Sequence, residues 1–399
     1  MSNLKIFTEN IEPEALDQIY TLVKQPAFSD CKVRIMPDVH AGVGCVIGFT
    51  ADLGDKIIPN IVGVDIGCGM LTTEIPDVGE IDFQLLDIVI RGNVPAGRNV
   101  RDEIVNFPEL EELYCFSELK NVERIRKSLG TLGGGNHFIE VDVDLNGKNY
   151  LVIHTGSRNL GKQVAEIYQN IAIEDMQGTD ELEDKIQKLI KDYKRSGRHK
   201  DIQRGIEELK RKWNPQKLNI PKELCYLTGE HRERYLHDMK ICQEFARINR
   251  RCIQSAIFYN MGWTLQRNTW FDTIHNYIDH DTNIVRKGAI SAKHGEKVLI
   301  PMNMRDGCII AIGKGNEDWN CSAPHGAGRI MSRSKAKENI SLEEFQKSMN
   351  GIFTTSVQKS TIDESPMAYK SAQEIINNIK DTVDIVDIIK PAYNFKASE

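Results

Sequence analysis

The chain has 399 residues, 40% of them apolar and 27% charged, which supports a sizeable core and the bulk of two or three ordinary domains. A mean hydropathy of -0.39 with no long apolar run excludes a membrane-spanning helix. A net charge of -6 excludes a protein that grips nucleic acid through an all-over basic surface, though not one with a local basic track.

The opening segment MSNLKIFTENIEPEALDQIY lacks the basic, apolar and small-residue order of a secretory signal, which predicts a cytoplasmic protein. Residues 32–75 alternate short apolar runs with glycine turns, KVRIMP, GCVIGF and DKIIPNIVGVDI, a pattern of strands with tight connections. A helix follows at roughly 79–90, and the charged segment after it reads as helical to Leu129. GGGNHFIEVDV and YLVIHTGSRNLG read as two strands whose polar ends lie beside glycines. From about 164 to 258 the pattern is helical, with a break near Ser196-Gly197. Its last part sets Tyr235, Met239, Cys242, Ala246, Asn249, Ile253 and Ala256 on one stripe, which reads as a core face. Strands return from Trp270 to Ile312, and helices at 341–350 and near 371–380 follow. Reactive residues are spread over the whole length. The expected fold is therefore α+β, a single composite catalytic domain over residues 1–399, with mixed β-sheets, flanking helices and a charged helical insertion at about 164–258.

Asp65 and Cys68 stand three apart in VGVDIGCGM, among glycines that let the backbone turn and aim both side chains at one point. Alone, the pair reads better as a turn aspartate with a small buried cysteine. His154, ending the apolar strand LVI, and His275, in the alternating FDTIHNYI, each also fit a core histidine. His137, after Asn136 at a glycine turn, is harder to place in a core. Together one carboxylate, one thiolate and three imidazoles can hold two divalent ions with positions left open for phosphate oxygens. Donor softness alone makes zinc competitive. The chain's nine cysteines include no CxxC pair and are expected to be reduced and mostly buried, Cys68 excepted.

Pro324-His325-Gly326-Ala327-Gly328-Arg329 sets a histidine among small residues, which leaves its ring reachable, and Arg329 with Arg333 supplies positive charge for phosphate oxygens. An unprotonated imidazole can attack a phosphate, so the set points to a metal-assisted enzyme acting on phosphates. Between Lys191 and Lys212, nine Lys/Arg stand against four Asp/Glu. That run is either a solvated helix face or an electrostatic track for RNA.

These segments, in this order from MPDVHAG to PAYNFK, resemble the RtcB family of RNA-splicing ligases over nearly the whole chain. The resemblance implies an enzyme of RNA repair or tRNA splicing that uses GTP and two manganese ions. It would join RNA 3'-phosphate or 2',3'-cyclic phosphate ends to 5'-hydroxyl ends. By the same resemblance, Asp65, Cys68 and His137 hold one ion, and Cys68, His154 and His275 the other. His325 carries the guanylate. Asn136 and Asn276 contact phosphate oxygens, Glu140 accepts from guanine's ring N–H and amino group, and Arg329 and Lys396 complete the nucleotide contacts. His154-Thr-Gly-Ser-Arg158 resembles a loop that cradles an RNA phosphate, and Asp38 and His40 are further candidates at the RNA end. An archease-like activator is an implied partner. One stretch departs from the family pattern: Met304-Arg305-Asp306-Gly307 stands where a Gly-Ser-Met-Gly type stretch is common, beside the nucleotide, so it bears on guanine selectivity. Two rival readings remain. A metal-dependent phosphohydrolase or cyclic phosphodiesterase would need the metals but not His325, and a non-catalytic RNA-binding repair accessory would work through the basic arm.

Overall fold

The computed structural model describes residues 3–42 and 44–397. A five-stranded sheet has the order β1 (Asn3–Ile6), β2 (Lys32–His40), β3 (Ile47–Asp52), β9 (Ile284–Lys287) and β8 (Asn276–Ile278). β1 lies parallel to β2 and the other neighbours are antiparallel. The larger sheet runs β11 (Lys297–Asn303), β12 (Gly307–Gly313), β15 (Val383–Lys396), β5 (Phe138–Val143), β6 (Asn149–Thr155), β4 (Gly69–Glu74) and β7 (Trp270–Ile274). Along that path every neighbour is antiparallel, and β14 (Phe353–Thr354) adds a short parallel pairing to β15. The outer strands β7 and β11 meet where the Leu299 N–H donates to the Thr273 hydroxyl at 3.2 Å, so the sheet curls on itself. A two-stranded ribbon joins β10 (Ala289–Ser291) to β13 (Ser322–Pro324).

The helices cover these sheets with apolar stripes. α1 (Pro13–Val23) buries Ala15, Ile19 and Leu22. α2 (Phe83–Asn93) starts where the Asp82 carboxylate accepts the N–H groups of Gln84 and Leu85, and it buries Leu86, Val89 and Ile90. After the short α3 (Val122–Arg126), a helical region comprises α4 (Arg158–Met176), α5 (Thr179–Arg195), α6 (Ile202–Lys212) and the 33-residue α7 (Gly229–Met261). At its 1.5 Å rise α7 is about 50 Å long. Tyr235, Met239, Cys242, Ala246, Asn249 and Ile253 are buried as their stripe predicts, while Ala256 is half-buried and Ile257 takes the core position. Tyr235 to Phe245 belong to the core against the five-stranded sheet, and Ile253 to Phe258 to the core of the larger one. One helix thus ties the two sheets together. α8 (Arg333–Asn339), α9 (Leu342–Ser348) and α10 (Ala372–Asn378) close the chain's last third, α9 behind a capping box of Ser341 and Glu344.

The class is α+β, as the sequence predicts, but several elements differ. DKIIPNIVGVDI is not a strand: Pro59 opens a 3₁₀ turn, and Ile57, Ile58, Ile61, Val62 and Ile66 are buried as irregular chain. The charged segment to Leu129 holds 3₁₀ turns and α3 in place of a long helix. The helical region begins at Arg158, and residues 213–228, with Pro215 and Pro221, interrupt it. The 14-residue β15 was not foreseen, because Pro391 breaks its strand pattern; the proline sits at a register shift against β5. α5 and α6 fold back on each other, with Gly205 against Leu189 and Tyr193.

Candidate active site

The order β5-β6-β4-β7 brings four reactive segments to one end of the larger sheet. Cys68 precedes the start of β4, His137 precedes the start of β5, His154 lies at the end of β6 and His275 follows the end of β7. Because these strands alternate in direction, starts and ends fall together: Gly69 pairs with both Thr155 and Ile274, and Phe138 pairs with His154. At His275 the chain leaves the larger sheet and enters β8 of the smaller one, with its N–H bonded to the Cys68 carbonyl at 2.9 Å. Gly67 is required beside Cys68. Its φ is +71° and a Cβ there would lie 2.8 Å from the Gln243 backbone of α7.

The side chains converge. Cys68 Sγ lies 3.5 Å from His137 Nε2 and 3.3 Å from His154 Nε2, and Asp65 Oδ2 is 3.0 Å from His137 Nε2. The ligand atoms of Cys68, His137 and His154 all lie within 4.8 Å of one another. The His154 and His275 ring centroids are 5.3 Å apart. His137 Nδ1 faces the Leu132 carbonyl at 2.9 Å and His154 Nδ1 the Asn136 carbonyl at 3.2 Å, which turns both Nε2 lone pairs inward. Burial, reinforced by neighbouring positive groups, pushes the His154 and His275 imidazoles well below their usual range, so both are neutral. Burial and the nearby Asp65 charge push the Cys68 thiol well up. Burial works against the Asp65 carboxylate, but the His137 hydrogen bond and the Arg158 charge outweigh it and hold the carboxyl low. Among the described residues, Asp65 Oδ1 and His275 Nδ1 are buried polar atoms with no hydrogen-bond partner. Leaving such atoms unpartnered is costly, and this donor set fits divalent metal.

His325 stands at the next position along. Its ring centroid is 4.9 Å from that of His275. Asp38 is fully buried, and its Oδ2 accepts from the His325 N–H at 3.0 Å and the Gly326 N–H at 3.2 Å and meets His325 Nδ1 at 2.6 Å. The sequence offered Asp38 as a candidate for the RNA end. It lies beneath His325 instead, fixing the ring and leaving Nε2 as the free nitrogen. Gly328 permits this closeness, since a Cβ there would lie 2.2 Å from the Asp38 carbonyl. His40 reaches the same carbonyl at 2.9 Å, and burial pushes its imidazole down to about 4.

A cavity of 660 Å³ opens in front of His325, in the size range of a nucleotide site. Asn136, Glu140, His154, His325, Arg329 and Lys396 line it. Asn276 is not among the lining residues; its amide donates to the Asp65 carbonyl at 3.3 Å and accepts from the Gly288 N–H at 2.9 Å, bracing the Asp65 loop. Lys396 is no solubilising terminal charge: it is buried and reaches Glu364 at 2.6 Å. Arg329 and Arg333 stand without acidic neighbours in the sequence, yet Glu364 and Asp363 come to meet them, Arg333 at 3.0 and 2.8 Å and Arg329 at 3.5 Å from Glu364. Burial opposes ionisation of Glu364, but Lys396, Arg333 and Arg329 prevail and hold it at about 2. The departing stretch forms the turn between β11 and β12. There Asn303 binds the backbone N–H groups of Arg305 and Asp306 at 3.0 and 2.9 Å, and Arg305 pairs with Asp306 at 2.9 Å.

Sequence reasoning missed the residues that hold the site from behind. Arg250 of α7 is fully buried and donates to the carbonyls of Gly67 and Thr155, each at 2.9 Å, while pairing with Asp272 at 2.6 Å. It clamps the Cys68 and His154 segments together. Asn249 beside it binds Gly130, Thr131 and Gly156. Arg158 starts α4 at a φ of +57°, with its guanidinium packed on Gly133 and 3.4 Å from His137 Nδ1. Arg158, which the sequence places in a phosphate-cradling loop, is thus set against the His137 ring.

Similarity to known proteins agrees with this arrangement. A family model described as tRNA-splicing ligase RtcB matches residues 18–116 and 116–397. The RNA-splicing ligase RtcB of Escherichia coli strain K12 is 30% identical over 427 residues, covering 96% of this chain and 94% of that protein. RtcB1 of a second Escherichia coli strain is 28% identical with the same coverage, and the tRNA-splicing ligase RtcB of Nanoarchaeum equitans is 27% identical over 86% of this chain and 83% of its own. With the match spanning nearly every residue, the chain belongs to the RtcB family of tRNA-splicing ligases.

Proposed function

We propose that this chain is a GTP-dependent RNA ligase of the cytoplasm that joins RNA 3'-phosphate or 2',3'-cyclic phosphate ends to 5'-hydroxyl ends, with residues 1–399 acting as one catalytic domain. The observation that carries the reading is the fixed ring of His325, held at Nδ1 by buried Asp38 and facing the cavity beside the His275 ring. Once any cyclic phosphate is opened, His325 Nε2 attacks the α-phosphorus of GTP, a phosphorus–nitrogen bond forms and pyrophosphate leaves. The guanylate then passes to the RNA 3'-phosphate, freeing the imidazole, and the 5'-hydroxyl oxygen attacks that activated phosphorus and expels GMP. Asp38 keeps the imidazole in one tautomer through these exchanges.

Asp65, Cys68 and His137 would hold one metal ion and Cys68, His154 and His275 a second. Bound there, divalent metal, manganese in this reading, neutralises charge on the transferring phosphates. Asn136 and Arg329 serve the phosphates, Glu140 and Lys396 the base, and Asn276 acts through the Asp65 loop. RNA supplies both reacting ends, and an archease-like activator is a partner of the same reading. The phosphohydrolase and RNA-binding rivals give no role to the anchored His325. The test is incubation with manganese and α-labelled GTP. Acid-labile label on the wild type and none on His325→Ala, at unchanged metal content, is the expected result; label on the alanine variant would refute the nucleophile.

A further inference from the structure

A second buried group of ionisable side chains lies behind the cavity. Glu140 and Asp142 are two apart on β5 and so share one face of the sheet. They are 3% and 0% exposed, and Cys308 of β12 is fully buried beside them. One carboxylate oxygen of each and Cys308 Sγ lie within 4.8 Å of one another. Neither oxygen of Asp142 has a hydrogen-bond partner among the described residues. Glu140 accepts from the Asn394 amide of β15. The facing cation, Lys396 of β15, is paired with Glu364 at 2.6 Å, and Lys390 donates to the Asp306 carbonyl. Two buried carboxylates therefore lack a cation of their own, an arrangement that retains protons. Burial and then the Asp142 charge push Glu140 well up against the pull of Lys396, and burial pushes Asp142 up to about 7 against Cys308 and Lys390.

We propose that Glu140 and Asp142 share a proton whose position sets which base the cavity accepts, making Asp142 a positioning residue for nucleotide specificity. The inference rests on Glu140 facing the base, as in the proposed function. An ionised Glu140 offers two acceptors, the complement of guanine's ring N–H and amino group; a protonated one offers a donor and an acceptor, the complement of adenine's N1 and amino group. Guanine binding moves the shared proton onto Asp142, and adenine binding leaves it on Glu140. The turn at Met304–Gly307 adds no competing readout, because Asn303, Arg305 and Asp306 bond one another. Below pH about 7 Asp142 is already protonated and cannot take the proton from Glu140. The preference for guanine consequently rises as pH increases through that value.

The experiment compares labelling of the full chain by α-labelled GTP and ATP, with manganese, from pH 6 to 8. Titration of His325 or of metal ligands affects both nucleotides alike and cancels in the ratio. In the wild type the GTP-over-ATP ratio should rise about tenfold over this range. In Asp142→Asn, whose neutral side chain stands in for protonated Asp142, the ratio should match the wild type at pH 6 and go on rising above pH 7, where the wild type levels off because the Asp142 charge opposes ionisation of Glu140. Asp142→Leu, which removes the unpaired carboxylate altogether, should behave the same way and guards against a folding defect of the amide. A ratio with the wild-type pH course in both variants would overturn the proposal while leaving the base-facing role of Glu140 intact. Glu140→Gln with undiminished GTP labelling would instead remove that role and the proposal together. Zinc binding one ion tighter in wild type than in Asp142→Leu would put a cation where the proton is placed and also overturn it.

Discussion

A single carboxylate decides how His325 is presented. Asp38 Oδ2 meets the ring nitrogen and two backbone N–H groups of a segment 287 residues away. Asp38→Asn keeps the shape but offers a weaker, neutral acceptor, so guanylylation should fall by about a hundredfold or more with metal content unchanged; an unaltered labelling rate would show that the ring needs no anchor. Glu364 works on stability. Its folded value of about 2 lies below the ordinary carboxylate value of about 4.3, so its contribution is present above pH about 4.3 and lost as pH falls toward 2. Glu364→Gln leaves Lys396, Arg329 and Arg333 around a neutral side chain, and about 3–5 kcal/mol of stability should be lost at pH 7. The gap between the two proteins should narrow on acidification. Denaturant melts at pH 7 and pH 3 with equal gaps would count against the network. The candidate residues Asp65, Cys68, His137 and His325 stood out in the sequence because they lie in glycine-rich segments, and His275 because it interrupts an alternating strand. Asp38's place under His325, Glu364 and Arg250 did not, since their partners come from distant segments and no local spacing encodes that.

At the scale of elements, periodicity read the strands on either side of the site and the core stripe of α7, and failed where a proline or a buried irregular run imitates another pattern. DKIIPNIVGVDI is apolar because it is buried, and the sequence had no means of separating that from a strand. The helical arm was legible, including its break: α5 ends at Arg195 with Ser196 as its C-cap, and Gly197 has a φ of +72°. Its tip carries Lys194, Arg195, Arg198 and Lys200 on exposed chain, with Arg198 also 3.2 Å from Asp201. If the tip contacts RNA beyond the reacting ends, replacing these four by neutral residues should weaken binding of long RNA and lower the salt slope by about 1 to 3 units. Guanylylation of His325 should proceed unchanged, because the cavity in front of His325 draws on none of these residues. Identical salt titrations for the two proteins would mark the arm as a solvated helix pair.

For the whole molecule, the decisive feature is that Asp65 and Cys68, His137, His154 and His275 come from the loop before β4, the turn before β5, the end of β6 and the passage from β7 to β8. These segments span residues 65–275, belong to both sheets and are clamped by Arg250 from α7, so an ion bound among them links elements that both cores depend on. Binding to the folded state alone stabilises it by mass action, about 2.7 kcal/mol at a hundred times the Kd. Adding manganese to ion-free protein should therefore raise Tm by a few degrees and move the entire unfolding transition, not one part of it. Cys68→Ala removes the sulfur that lies 3.5 Å from His137 Nε2 and 3.3 Å from His154 Nε2, and it should abolish that shift and the bound metal together. His325→Ala, which keeps every ligand, should retain the shift. A manganese-induced rise in Tm of equal size in wild type and Cys68→Ala would place the stabilising ion elsewhere and break the link between this strand-end cluster and the cohesion of the fold.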